Sequence, residues 1–300
     1  MERKRILVTG AAGLIGKATY EKLTTLGYSV TGVDNLSRPG SLSQKEIINC
    51  NLLDFYKKYK NNFDTIFHLA AINGTDYFYS QPNQVIENNF ELDLATFRFA
   101  KLNGSKVVYA SSSEVISGTA NVPTIEETDV AIENIHNPRW SYRLSKIISE
   151  NYILNSNLDY VIARFFNVFG GDSRQGHFVH DIVKKIDKED FTLTGYNETR
   201  SFCYIDDAVN ALLSIAFQQS KSVINIGNDE EITILDAANT IAEILYDKKI
   251  DWILKEGRPG STARRCPNID NLKKVFPNYK PLPFYKAIER IKNETNNIQS

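Results

Sequence analysis

Tyr142 and Lys146 lie four positions apart in the stretch of residues 142–146, YRLSK. On a helix, this spacing places the phenol and the ammonium group one turn apart on the same face. A positive charge beside a phenol stabilises the deprotonated form, and a tyrosine with a lowered pKa can act as a general base toward a hydroxyl group. The pair therefore predicts proton abstraction from an alcohol.

The same spacing occurs in residues 56–60, YKKYK, and one chance match is expected in a chain with 15 tyrosines. That second stretch is polar and rich in lysine, which is typical of a solvated helix face. Tyr142 instead follows an apolar run that ends in hydroxyl groups, residues 109–114, YASSSE. We therefore predict the reactive pair at Tyr142, with a plain core aromatic as the alternative.

A glycine-rich turn precedes the first helical pattern of the chain. Residues 8–16 read VTGAAGLIG, with Gly10, Gly13 and Gly16 between an apolar run and an amphipathic stretch. Glycines here allow a positive φ and close approach to a ligand, and the helix N-terminus presents free N–H groups to phosphate. The pattern departs from G-x-G-x-x-G and an ordinary strand-to-helix turn is the alternative, but it indicates a dinucleotide site.

Asp34 ends the next apolar run, about 20 residues further along the chain. A carboxylate at that point accepts hydrogen bonds from the adenosine ribose hydroxyls and repels a 2′-phosphate, so it favours NAD over NADP. Because Arg38 lies nearby in the sequence, NADP remains an alternative cofactor. A turn or helix cap is the alternative role for Asp34.

Short apolar strands alternate with helical patterns through the first half of the chain. Strands are predicted at residues 5–9, 29–33, 46–50, 65–68, 106–110 and 160–164, and helices at 14–26, 52–60, 84–102 and 141–155. The alternation predicts an α/β fold with a Rossmann-type doubly wound parallel sheet in residues 1–168. Residues 169–300 are predicted to form a smaller C-terminal α/β substrate lobe, and part of residues 202–227 is expected to return to the sheet.

Composition excludes several kinds of partner. The net charge of −1 gives no global basic field for nucleic acid or an anionic membrane. Cys50, Cys203 and Cys266 are few and far apart, and the four histidines lack partners at metal spacing, so we predict neither a disulfide framework nor a metal site. Without a recognisable secretion signal or membrane-spanning run, we expect a cytoplasmic protein that acts on small molecules.

In their order and spacing, the motifs resemble the extended short-chain dehydrogenase/reductases of the NAD-dependent nucleotide-sugar epimerase/dehydratase family. The resemblance extends from residue 5 to about residue 291. The matching segments are residues 9–16 (TGAAGLIG), 34–35 (DN), 68–71 (HLAA), 89 (N), 111–114 (SSSE), 142–146 (YRLSK), 164–170 (RFFNVFG), 200–207 (RSFCYIDD), 225–227 (NIG) and 258–260 (RPG).

The resemblance implies a role for each matching position. Ser112 would bond the sugar O4, Tyr142 would be the base, and Lys146 would tune Tyr142 and hold the nicotinamide ribose. The other residues expected to bind NAD are Gly10, Gly13, Leu14, Ile15, Gly16, Asp34, Asn35, Asn51, Leu52, Leu69, Ala70, Ala71 and Asn89. Those expected to bind a nucleotide-diphosphate sugar are Ser113, Asn167, Arg200, Arg258 and Arg265.

The resemblance also implies a homodimer, because the patterns at residues 84–102 and 141–155 resemble the paired helices of family dimer interfaces. The candidate contacts are Leu92, Leu94, Phe97, Phe99 and Ile153.

The resemblance implies that the sugar is oxidised at C4 by hydride transfer, in a reaction of epimerase or dehydrogenase type. Residues 112–115, SSEV, are more similar to the segment of GDP-mannose dehydratases and UDP-glucuronate decarboxylases than to that of 4-epimerases. Arg265 resembles a position that faces the sugar carboxylate in decarboxylases. A 4,6-dehydratase or decarboxylase that uses Glu114 is therefore one alternative, and a non-catalytic NAD-binding regulator is another.

Overall fold

The computed structural model describes residues 3–38, 46–59, 62–118, 121–130, 135–171 and 177–299. Its strands are β1 (Arg5–Thr9), β2 (Ser29–Asp34), β3 (Ile47–Asn49), β4 (Thr65–His68), β5 (Lys106–Ser112), β6 (Tyr160–Phe165), β7 (Val168–Phe169), β8 (Thr192–Thr194), β9 (Thr199–Ser201), β10 (Cys203–Tyr204), β11 (Ser222–Ile226), β12 (Glu231–Thr233), β13 (Ile253–Lys255) and β14 (Arg264–Arg265). Its helices are α1 (Leu14–Thr25), α2 (Leu52–Lys58), α3 (Thr75–Ser80), α4 (Pro82–Asn103), α5 (Trp140–Leu154), α6 (Phe178–Asp187), α7 (Ile205–Gln218), α8 (Ile234–Tyr246), α9 (Asp270–Val275) and α10 (Phe284–Gln299). A 3₁₀ turn spans Ser113–Ile116.

The central layer is a seven-stranded parallel sheet in the order β3-β2-β1-β4-β5-β6-β11. The strand order reverses at β1, which lies between β2 and β4, and ligands of such sheets bind beyond the carboxyl ends of the strands at this point. The predicted Rossmann-type fold class is confirmed. The boundary between residues 1–168 and 169–300 stays a prediction.

Strand β1 illustrates why this sheet forms. Ile6 and Val8 pack into one apolar core while Leu7, between them, packs into a second core on the opposite face. All three side chains are fully buried. A strand covered on both faces needs a continuous apolar run, and residues 6–8 supply it.

Two boundaries differ from the prediction in ways that affect the site. Helix α4 begins at Pro82 rather than residue 84, because a proline is tolerated at the first helical position, where its missing N–H costs nothing. Strand β5 continues two residues beyond Ala110, since Ser111 and Ser112 pair with Arg164 and Phe165 of β6. Lys60, the predicted end of the second helix, lies outside the described residues.

The chain after β6 forms smaller sheets, β10-β7, β12-β9-β14 and β13-β8. Strand β11 pairs with β6 at the edge of the central sheet, so Ser222–Ile226 returns to it. One apolar core contains Ile6 and Val8 of β1 together with Leu193 of β8 and Ile241 of α8, so the two halves of the chain pack against each other. Within the described residues, no helix is both long and apolar enough to cross a membrane.

Candidate active site

Ser112, Tyr142 and Lys146 meet at the carboxyl end of β5. Ser112 is the last residue of that strand, and its hydroxyl forms a hydrogen bond with the phenol of Tyr142. Lys146 lies one turn along α5, where Nζ donates to the carbonyl of Ala110 at 2.9 Å and lies 5.9 Å from the centroid of the Tyr142 ring. All three line one cleft, so the three side chains predicted for proton transfer are brought together.

The protein groups around Tyr142 act on its pKa in the direction opposite to the one predicted. Burial raises the pKa of Tyr142 above its ordinary value, the hydrogen bond from Ser112 opposes this, and the charges of Glu114 and Asp93 add to the rise. Burial also lowers the pKa of Lys146, which Asp93 and then Glu150 act to raise. A buried phenolate loses the solvation of its charge, and the spacing of Tyr142 and Lys146 in the sequence does not reveal this cost.

The glycine turn forms a cradle beneath the cleft. Gly10 adopts a φ of 69°, and a Cβ atom there would lie 2.7 Å from the backbone nitrogen of Ala70. A Cβ atom at Gly16 would overlap the carbonyl oxygen of Gly10. Glycine at both positions therefore lets the turn pack tightly on itself and on the loop after β4, with the N-terminus of α1 at the cleft, so the residues present fit a dinucleotide.

Asp34 and Asn51 lie at the far end of the same cleft. The carboxylate of Asp34 accepts hydrogen bonds from the N–H groups of Ala12 at 3.0 Å and Leu36 at 2.8 Å. Each oxygen keeps a further lone pair for a ribose hydroxyl. The Asn51 amide oxygen caps α2 by accepting from the N–H of Leu53 at 2.9 Å, so an adenine contact would share this oxygen with the helix cap.

The cleft has a volume of about 820 Å³ and is continuous from the glycine turn to β14. The predicted residues that line it are Gly10, Gly13, Leu14, Ile15, Gly16, Asp34, Asn35, Asn51, Leu52, Leu69, Ala70, Ala71, Ser112, Ser113, Glu114, Tyr142, Lys146, Asn167, Arg200, Arg258 and Arg265.

Asn89 is not among the residues that line the cleft. Its side chain is fully buried and bonds both the N–H and the carbonyl of Ile72, at 2.7 and 3.1 Å. Asn89 therefore holds the loop after β4 in place, and its direct contact with the cofactor stays a prediction.

Glu114 lies between two guanidinium groups. Its carboxylate contacts Arg139 at 2.9 Å and Arg265 at 3.0 Å. Burial acts to raise the pKa of Glu114, but the charges of Arg265 and Arg139 outweigh it and hold the pKa at about 2. Arg139 was not predicted, and its position immediately before the first turn of α5 was the signal that could have identified it.

Arg200 and Glu198 form a further ion pair among the residues that line the cleft. Arg200 donates to the carboxylate of Glu198 at 2.6 Å, and Ser261 donates to the same oxygen at 2.7 Å. Burial and the nearby charge of Arg265 lower the pKa of Arg200 to about 10. Glu198 is a further cleft residue that sequence reasoning missed.

The other predicted substrate residues lie nearer the surface or serve the fold as well. Arg258 is half exposed and contacts Asp76 at 3.7 Å. The side-chain amide of Asn167 donates to the carbonyl of Ser201 at 2.8 Å, so it ties β9 to the loop after β6. In the second Y-x-x-x-K stretch, Tyr56 donates to Thr96 and does not line the cleft, while Lys60 is outside the described part of the chain.

Comparison with known proteins agrees with this architecture. The sequence profile of the NAD dependent epimerase/dehydratase family matches residues 6–227. The chain is 31% identical over 261 residues to a UDP-N-acetyl-alpha-D-glucosaminuronate decarboxylase of Bacillus cytotoxicus. The aligned residues cover 81% of each protein. It is 30% identical over 285 residues to UDP-glucuronic acid decarboxylase 1 of Danio rerio, covering 91% of this chain and 68% of the relative.

Among solved structures, a UDP-N-acetylglucosamine 4-epimerase from Methanobrevibacter ruminantium superimposes with a TM-score of 0.84. It is 26% identical in sequence, and the match covers 99% of this chain and 100% of that one. The family profile spans the glycine turn, Asp34 and the Ser112–Tyr142–Lys146 group. The chain is therefore an NAD-dependent enzyme of the epimerase/dehydratase family, whose members act on nucleotide sugars.

Proposed function

We propose that this enzyme oxidises C4 of a UDP-linked uronate and then releases its C6 carboxylate as CO₂. The observation that carries the proposal is the contact of Glu114 with both Arg139 and Arg265. These residues line the cleft together with Ser112 and Tyr142, and we call this part of it the sugar end of the cleft. The decarboxylases of Bacillus cytotoxicus and Danio rerio, at 31% and 30% identity, favour the same reaction.

The charges at this end of the cleft favour an anionic sugar. Arg139, Arg200 and Arg265 are opposed by two carboxylates, Glu114 and Glu198. One guanidinium charge is thus left without a counter-charge inside this group of five side chains. Burial and then the charge of Arg265 lower the pKa of Arg200, so an incoming carboxylate or diphosphate would offset both effects.

In this mechanism Tyr142 takes the proton of the C4 hydroxyl while Ser112 hydrogen-bonds O4 and Lys146 stabilises the phenolate. When bound, NAD⁺ supplies the hydride acceptor for C4. The 4-keto derivative of a uronate is a β-keto acid, so its C5–C6 bond breaks with release of CO₂ and the electron pair moves toward the C4 oxygen. A solvent proton then enters C5. The reduced cofactor would supply the hydride that C4 takes back, and Tyr142 returns its proton to O4, so there is no net oxidation.

The contacts of Glu114 with Arg139 and Arg265 disfavour a role for it as the C5 base of a 4,6-dehydratase. A dehydratase needs a base for the C5 proton, and a carboxylate whose pKa is about 2 has little driving force to take one. Loss of CO₂ from a β-keto acid needs no such base. We assign Glu114 the role of holding Arg139 and Arg265 in place.

C4 epimerisation is the second candidate. Ser112, Tyr142 and Lys146 are sufficient for it, and the 4-epimerase from Methanobrevibacter ruminantium has a fold that covers nearly the whole chain. C4 epimerisation does not need a carboxylate on the sugar, so the identity of the substrate distinguishes an epimerase from a decarboxylase.

The test is to incubate the enzyme in D₂O with UDP-glucuronate, UDP-N-acetylglucosaminuronate and their neutral counterparts, UDP-glucose and UDP-N-acetylglucosamine. We expect mass spectrometry to detect CO₂ loss from a uronate and NMR to detect one solvent deuteron at C5, with no accumulated NADH. Inversion at C4 of a neutral sugar, without deuterium at C5, would establish the epimerase instead. Loss of water from a neutral sugar would establish a dehydratase.

We also propose a homodimer that forms through α4 and α5. Of the predicted contacts, Phe97, Phe99 and Ile153 are buried inside the chain, so they cannot meet a partner. The apolar side chains that these helices do expose are Leu102, Ile148, Tyr152 and Leu154. We expect the second copy to contact these exposed side chains.

Light scattering at micromolar concentration is expected to give about twice the chain mass of 34.0 kDa. Ile148→Glu places a charge in the proposed interface and should yield monomers. Leu26→Glu, which changes an exposed apolar residue immediately after α1, should leave the dimer intact. A monomeric wild-type protein would refute the proposal.

A further inference from the structure

Asp93 is a fully buried carboxylate behind the catalytic group, and the mechanism above does not use it. It lies on α4 and accepts three hydrogen bonds from three other elements. His68 of β4 donates at 2.8 Å, Tyr109 of β5 at 2.6 Å and Ser149 of α5 at 2.7 Å. An acceptor of three hydrogen bonds is stabilised in its ionised form, so α4 carries a negative charge into the core.

The direction of the His68 bond follows from its neighbours. The hydroxyl of Thr9 accepts from the N–H groups of Leu69 and Ala70, at 3.2 and 3.3 Å. Its own proton is therefore directed to Nδ1 of His68 at 2.8 Å, which leaves Nε2–H to donate to Asp93. A chain of hydrogen bonds thus runs from the loop that lines the cofactor cleft to Asp93.

Lys146 and Asp93 act on each other electrostatically, since the charge of Asp93 acts to raise the pKa of Lys146 and that of Lys146 acts to lower the pKa of Asp93. Glu150, the other buried carboxylate near Lys146 on α5, is already paired with Arg164 at 2.7 Å and accepts from Ser111. The ring of Tyr109 bridges the remaining distance, because Nζ of Lys146 lies 4.5 Å from its centroid while its hydroxyl bonds Asp93. Lys146 and Asp93 are therefore left as opposite charges within the same low-dielectric region.

We propose that Asp93 is a positioning residue that keeps Lys146 protonated and ties the cofactor loop to the catalytic helix. The proposal rests on the proposed role of Lys146 in C4 oxidation. The titratable groups that face this pair are His68 of β4, Tyr109 of β5, Tyr56 of α2, and Tyr142 and Glu150 of α5.

A double-mutant cycle tests the charge pairing without any substrate. Asp93→Asn keeps the shape of the side chain and an acceptor oxygen but removes the charge. Because it leaves Lys146 buried without a counter-charge, we expect Tm at pH 8 to fall by about 6–12 °C. In a Lys146→Met background, the same substitution removes an unpaired buried charge and should raise Tm.

The comparison of Lys146→Met with the double variant decides the matter even if Asp93→Asn does not fold by itself. Ser149→Ala is the matched control, since it removes one hydrogen bond from Asp93 and leaves the charge; its effect should be the same in both backgrounds. Equal losses of Tm from Asp93→Asn in the two backgrounds would overturn the proposal.

A pH profile tests the consequence for catalysis. With a substrate that reduces bound NAD⁺, the rate should fall at high pH as Lys146 loses its proton. In Asp93→Asn this fall should begin at least about one pH unit lower, and in Ser149→Ala it should not move. An unshifted profile in Asp93→Asn would refute the role of Asp93. Absence of any turnover by the wild type would instead refute the proposed function, while the Tm cycle would still test the pairing.

Discussion

Tyr142→Phe is expected to slow C4 oxidation by about 10²- to 10⁴-fold, because it removes the proton acceptor and little else. The ring should remain in place, since it is buried and stacks on Phe78 with 4.9 Å between centroids. The measurement is the single-turnover rate of bound NAD⁺ reduction, together with Tm as a check on folding.

Tyr246→Phe is the matched control for this variant. Burial raises the pKa of Tyr246 as it does that of Tyr142, but its hydroxyl bonds Asp187 on α6, and neither residue lines the cleft. We expect this control to react at the wild-type rate. Wild-type turnover by Tyr142→Phe would remove Tyr142 from the role of base.

Arg265→Met should lower kcat/KM for a UDP-uronate by about 10- to 100-fold, the usual effect of losing a hydrogen bond to a charged group. Its guanidinium is buried and lies at the sugar end of the cleft, where we expect the C6 carboxylate to bind. Arg139 remains to pair with Glu114, so the variant should fold. NAD affinity, measured by calorimetry, should not change.

Arg264→Met controls for the loss of a neighbouring positive charge. Arg264 is half exposed and pairs with Glu231, and it does not line the cleft. We expect its kcat/KM for the uronate to equal that of the wild type. If Arg265→Met reacts with the uronate as well as the wild type does, the carboxylate does not bind Arg265. The decarboxylase proposal then loses its main support.

Features that depend on local spacing could be predicted from the sequence alone. The i, i+4 geometry of Tyr142 and Lys146 is set by the helix, so any helix over these residues places both groups on one face. The glycine turn and Asp34 lie at the ends of apolar runs, and the carboxyl ends of parallel strands share one edge of a sheet. The doubly wound sheet followed from the alternation of strands and helices.

Periodicity was less informative about the two long helices. It identified apolar positions on α4 and α5, but Phe97, Phe99 and Ile153 pack inside the chain and Leu102 and Ile148 are exposed. A 3.6-residue repeat reveals that a helix has an apolar side. It does not reveal whether that side covers the sheet or meets a second copy.

The environment of each charge was decided only by the tertiary structure. Glu114 contacts Arg139 and Arg265, which are 25 and 151 residues away in the chain. These contacts make Glu114 an anchor for the two guanidinium groups and hold its own pKa at about 2. Asp93 meets His68, Tyr109 and Ser149 from three separate elements. The sequence by itself determined the fold class and the placement of Tyr142 and Lys146 one turn apart on a helix, because these depend on neighbours within a turn or a strand. The protonation states depend on burial and on distant charges, and these arise only when the chain is folded.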